Sequence, residues 1–114
     1  MENKQIILQQ KMDQLKEEFR QALPVKINQI SSTWCSLRDG NMGVETLNDL
    51  LALVHKMAGS AGIFGFWHVS EIAEEIEINL QKLTKLKNIK SSKNIQRIDG
   101  LITSLKKIDL DHQN

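Results

Sequence analysis

Tyrosine is missing from this 114-residue chain, proline and cysteine occur once each, and only five residues are aromatic. No apolar run approaches the roughly 20 residues that a bilayer-crossing helix needs. The polar N-terminus also lacks the basic-then-apolar form of a signal peptide. Cys35, being alone, excludes an internal disulfide and fits a reducing cytoplasm, where a small boundary residue is its ordinary role. The net charge of +1 provides no basic face for a phosphate backbone, and the few aromatics provide no stacking platform, so nucleic acid is not an expected partner. Neither GxxxxGK[ST] nor a kinase-type glycine loop occurs, which removes the common nucleotide cradles. His55, His68 and His112 show no metal-ligand spacing with a nearby carboxylate or thiolate, so no metal is expected.

What the chain does have is helical periodicity. Hydrophobic residues make up 40% of it, which suits one globular domain over residues 1–114 with a single core. Leu, Ile, Lys, Glu and Gln dominate, and nothing alternates with the period of two that strands require. Leu8, Met12, Leu15, Phe19, Leu23, Ile27, Ile30, Trp34 and Leu37 recur at steps of three and four. Pro24 interrupts this stripe, predicting a bent pair of segments near 3–22 and 24–37.

The loop Arg38–Gly43 follows, then a helix from about Val44 to Phe64 and a turn over Gly65–His68, with Gly65 as a C-cap. A third helix, 69–86, carries Val69, Ile72, Ile76, Leu80 and Leu83 on its stripe, with Ser70 assisting its start. After a polar connection over 88–93, the last helix carries Ile95, Ile98, Ile102, Leu105 and Ile108, and the tail 109–114 is polar. The expected fold is all-α: an antiparallel four-helix bundle with an additional or bent N-terminal helix, its core bundle over about 24–109 and its N-terminal helix over 1–23. Phe64, Phe66 and Trp67 are expected to seal one end of that core. The lysines at 82, 85, 87, 90 and 93 read as a solvated surface.

His55 is the residue that points to chemistry. Leu47, Leu50, Val54, Met57, Ala61 and Phe64 form the apolar arc of its helix, and Glu45, Asp49, Lys56 and Ser60 the polar arc. His55 falls at the border, with Leu51 on its core side and Asn48 and Lys56 on its wet side. Its helical neighbours Ala52, Ala58, Gly59 and Gly62 are all small. Glycine in a helix costs about 1 kcal/mol relative to alanine, so two of them around one imidazole suggest that something bulky must come close. Gly62 equally suits close helix packing, and Ser60 could cap, bond back to a carbonyl or orient the site. His68 reads as a turn residue and His112 as part of the tail.

The run His55-Lys-Met-Ala-Gly-Ser-Ala-Gly-Ile-Phe-Gly65 resembles the signature of histidine-containing phosphotransfer (HPt) domains. In that family Gly-Ser follows the histidine at four and five positions and another glycine at ten; Gly59, Ser60 and Gly65 meet these offsets. Ile76-Glu77 resembles a recurrent Leu-Glu of the family's next helix. A lysine common three positions after the histidine is here Ala58, which leaves Lys56 as the nearest cation.

The resemblance implies a phosphoryl carrier with no kinase activity of its own, in the cytoplasm. His55 would take the phosphoryl group from the receiver domain of a hybrid sensor histidine kinase and pass it to a response regulator. Asn48, Ala52, Lys56, Gly59, Ser60 and Gly62 would flank the site and form the docking face. No cofactor is expected on this chain, since Mg²⁺ belongs to the partner receiver domain; a monomer that binds neither membrane nor nucleic acid is implied. The alternative reading is a non-phosphorylated helical adaptor that binds a receiver or kinase domain.

Overall fold

The N-terminal apolar stripe folds as one helix, α1 (Glu2–Asp39), which runs through Pro24 without ending. In this computed structural model, which describes residues 2–40, 43–85, 92–108 and 110, three shorter helices follow: α2 (Val44–Ile63), α3 (Trp67–Lys85) and α4 (Ser92–Lys107). Among the described residues there is no strand. The predicted break at Pro24 does not occur. Its ring lies on the exposed side of the helix, and the apolar register carries on across it from Phe19 and Leu23 to Ile27 and Ile30. Burial of that stripe holds the helix through the one backbone hydrogen bond that proline cannot donate. Phe19 and Leu23 are themselves core residues, so the packed bundle starts before residue 24.

The helices pack as a ring in which α1 touches α2 and α4, α2 touches α3, and α3 touches α4. The core is the periodic set: Leu47, Leu50, Val54, Met57 and Ala61 from α2, and Val69, Ala73, Ile76, Leu80 and Leu83 from α3. Ile98, Leu101, Ile102 and Leu105 complete it from α4. Ile72, Ile95 and Ile108 sit half-buried at its edge. Trp34 is fully buried and its indole N–H donates to Asp99 Oδ1 at 2.6 Å, tying α1 to α4. Arg38 donates to the same oxygen at 3.0 Å; Asp39 and then Asp99 push its guanidinium further into the charged range.

Lengths do not match around the ring. At about 1.5 Å per residue α1 is about 57 Å long and α2 about 30 Å, and the molecule's longest dimension is 58 Å. The first four turns of α1 therefore project beyond the bundle, and Leu8, Met12 and Leu15, read as part of the buried stripe, are exposed.

Between α2 and α3 the chain reverses in three residues. Phe66 N–H donates to the Ala61 carbonyl and Gly65 N–H to that of Gly62, the pairing of a Schellman cap, with Gly65 at φ +82° where a β-carbon is disfavoured. This bears out the C-cap but corrects the turn: Trp67 and His68 already belong to α3. Trp67 does not seal the end of the core either. Phe66 is buried and Phe64 half-buried, both against Phe19, while Trp67 points to solvent. Asn41 and Met42 of the predicted loop, Leu86, most of the predicted connection (88–91), His112 and most of the tail lie outside the described residues. No described helix is long and apolar enough to cross a membrane.

Candidate functional site

The tight cap fixes how α2 and α3 face each other. Two antiparallel helices joined by so short a turn bring together residues equidistant from it. Gly62 and Ser70, four residues either side of Phe66, are such a pair: a β-carbon at Gly62 would stand 3.4 Å from Ser70 Oγ. His55 and Glu77, eleven either side, are a second such pair two turns further down that face. His55 Nδ1 lies 2.7 Å from Glu77 Oε2.

These two side chains differ sharply in exposure. The imidazole is 76% exposed, whereas Glu77 is only 17% exposed, seated between the helices. A carboxylate can only accept, so in neutral imidazole the proton of this bond sits on Nδ1 and the lone pair on Nε2. Among the described residues no group pairs with Nε2, and the ring stands clear of its own bundle. The site therefore consists of a nucleophilic nitrogen held outward by a carboxylate behind it.

The surroundings keep the approach open. Ala52 and Gly59, one turn either side of His55, are exposed, and Asn48 lies a further turn along, also exposed. A β-carbon built at Gly59 would meet nothing within 4 Å, so no contact among the described residues requires glycine there. Gly62 is different: it lies half-buried against α3, where a β-carbon would touch Ser70, and the Ser70 hydroxyl donates to the Ala58 carbonyl at 2.8 Å. That bond also replaces the expected part of Ser70 in starting α3: it is a cross-helix clamp inside the helix. Ser60 is half-buried, and its carbonyl accepts the Phe64 N–H at the end of α2.

Cations stand to one side. Lys56 points away from Glu77 and lines, with Lys26, Gln29, Ile30, Leu53 and Met57, a groove of about 180 Å³ between α1 and α2. Ala58, in the position of the family's usual lysine, is half-buried and packed on the core. His68 is exposed on the first turn of α3. Among the described residues no three histidine, cysteine, aspartate or glutamate side chains come together as a metal site would need.

Glu77 is the residue that reading the sequence left without a role. The signal was available in the spacing, because a tight turn at Gly65 sets the hairpin register and the register places residue 77 opposite residue 55. A family model for the Hpt domain matches residues 7–108. The chain belongs to the Hpt domain family. Comparison with curated proteins and with solved structures gave no match. Hpt domains serve phosphotransfer in phosphorelays, as carrier modules rather than catalysts, and they engage receiver domains and response regulators.

Proposed function

We propose that this Hpt domain carries the phosphoryl group on Nε2 of His55. It receives the group from an aspartyl phosphate on the receiver domain of a hybrid sensor histidine kinase and passes it to a response regulator. The observation that carries this reading is the pairing of a solvent-facing imidazole with a largely buried carboxylate at 2.7 Å.

The Nε2 lone pair attacks phosphorus in line with the acyl phosphate oxygen. The P–N bond forms as the P–O bond breaks, and its electrons return to the receiver's aspartate. Phosphoryl transfer of this kind depends on positioning and on neutralising charge. Phosphorylation at Nε2 with the proton kept on Nδ1 places positive charge on the ring, and Glu77 stands where it compensates that charge. Mg²⁺ held by the receiver domain would neutralise the phosphoryl oxygens, and the reading assigns no cofactor to this chain. The small exposed surface of Ala52 and Gly59, with Asn48 beyond, lets the receiver's active-site rim close over His55. Leu53, exposed and lining a groove with Lys26 and Lys56, extends that docking face toward α1, and the half-buried Ser60 and Gly62 form its upper edge.

The test is transfer of labelled phosphate from a phosphorylated receiver to the purified chain. The parent should acquire acid-labile, base-stable phosphate, and His55→Gln should acquire none while keeping the parent's helical circular dichroism and melting temperature. Label persisting on His55→Gln would move the acceptor elsewhere. A second reading, an adaptor that binds a receiver without being phosphorylated, draws on the packed Ala58 where a phosphate-pairing lysine would stand. It predicts receiver binding by the parent with no label at all.

A further inference from the structure

We propose that Ile63 and Trp67 anchor a receiver domain on this chain, with the gap at Gly59 leading from that anchor to His55. The inference rests on the receiver-docking part of the phosphotransfer reading and names the surface that the partner grips. Ile63 is 73% exposed, more than any other large hydrophobic among the described residues, and Trp67 is 58% exposed. The two stand on either side of the short turn between α2 and α3. Trp67 is also the one exposed side chain among the chain's five aromatics; Phe19, Trp34 and Phe66 are buried and Phe64 is half-buried. Folding accounts for neither residue. Ile63 ends α2 with most of its side chain in water, and the first turn of α3 carries Trp67 but no acidic residue, although the positive end of a helix favours one. Indole and aliphatic groups left bare in this way are the kind that interfaces use as anchors.

Their place relative to the acceptor identifies the partner. His55, Gly59 and Ile63 follow one another at steps of four, a single ridge of α2 with its middle side chain missing. A β-carbon at Gly59 would meet nothing within 4 Å, so the gap stays open to a group from outside. Ile63 lies about 12 Å along α2 from His55. Trp67 lies ten residues above Glu77 on α3, about 15 Å along that helix. A standard interface takes roughly 800 Å² from each partner, equivalent to a disc of about 16 Å radius. Centred on His55, such a disc passes Ile63 and reaches Trp67. A partner whose aspartyl phosphate sits against Nε2 therefore covers both residues in the same contact, and receiver domains are what Hpt domains engage. The matching part of the receiver is an apolar patch about 12–15 Å from its aspartate. His55 and Glu77 act on the group being transferred. Ile63 and Trp67 touch neither, and set how tightly the donor is held.

Fluorine NMR of the full chain labelled with 5-fluorotryptophan reads the anchor directly, because the chain has two tryptophans, Trp34 buried and Trp67 exposed. The host's receiver domains, unlabelled, are titrated in one at a time. With a receiver that donates phosphate, the resonance missing from Trp67→Phe should shift while that of Trp34 stays in place. In transfer assays Trp67→Ala should raise the receiver concentration for half-maximal rate about 30-fold, and Ile63→Ser about tenfold. Both should reach the parent's maximal rate, the reverse of the effect of removing the Glu77 carboxylate. Both positions are exposed, and unchanged melting of the variants verifies that folding is not what is being read. A receiver that labels His55 while the Trp67 resonance stays unmoved, or that serves Trp67→Ala as well as the parent, overturns the anchor and leaves the phosphotransfer reading standing. A receiver that moves the resonance but leaves no label supports the anchor and gives the chain the adaptor's role. A Trp67 resonance that no receiver moves, with no label from any, overturns both. One that shifts with the chain's own concentration alone assigns the patch to a second copy and overturns the anchor.

Discussion

Removing the Glu77 carboxylate tests how the site works at the level of a single proton. In Glu77→Ala the Nδ1–H loses its acceptor, the ring becomes free to rotate, and the proton can move to Nε2, where it blocks the lone pair that attacks phosphorus. A hydrogen bond to a charged group is worth about 1.5–3 kcal/mol. The imidazole here is 76% exposed, so water competes for Nδ1 and the value falls below that range, to about 1–1.5 kcal/mol. Spent in the transition state, where positive charge grows on the ring, it corresponds to a five- to tenfold slower transfer, roughly. Glu77→Gln can still offer a carbonyl oxygen to Nδ1–H, so it should keep the tautomer and lose only the charge compensation, falling between parent and alanine variant. Two measurements check this together. Single-turnover transfer from a phosphorylated receiver should show a lower maximal rate at unchanged receiver affinity, and ¹⁵N spectra of the imidazole should show the proton on Nδ1 in the parent but spread over both nitrogens in Glu77→Ala. An unaltered maximal rate, or a parent ring protonated on Nε2, would refute the assigned role of Glu77.

Other substitutions separate site from scaffold. Gly59→Ala should stabilise the fold by up to about 1 kcal/mol in urea unfolding, because helix propensity rises and the added methyl meets nothing within 4 Å; Gly59→Arg should fold as well but lose receiver binding, measured by titration calorimetry. Gly65→Ala places a β-carbon at φ +82° and should cost about 1–2 kcal/mol, a melting temperature lower by about 5 °C or more. Asp99→Ala leaves the buried Trp34 N–H without its acceptor and should cost about 1–3 kcal/mol, most of it recovered by Asp99→Asn in the same unfolding assay.

Much of this protein could be read directly from residue order. The 3.6-residue periodicity named the buried faces of α2 and α3 nearly residue by residue, because a helix that packs on one side must carry its apolar residues there. Gly65 as a cap was legible for a similar reason: few other residues accept a positive φ. The His-x₃-Gly-Ser pattern singled out His55, since a glycine beside it inside a helix lowers stability and helix formation alone does not call for it. Where expectation and structure part, the cause is tertiary each time. Pro24 looked like a break because local propensity disfavours it inside a helix, but burial of the stripe on both sides outweighs one missing hydrogen bond. Leu8, Met12 and Leu15 looked like core because a pattern shows which residues share a face and not what stands opposite. Only the unequal lengths of the four helices left that face uncovered. Glu77 became part of the site through the register of two helices around a three-residue turn, a relation between segments that no single segment contains. Sequence thus determined which groups are available and on which side of each helix they lie. Their conversion into a site, with one nitrogen held and the other offered, was decided by packing, because a hydrogen bond needs two partners at one distance and only the folded chain sets that distance.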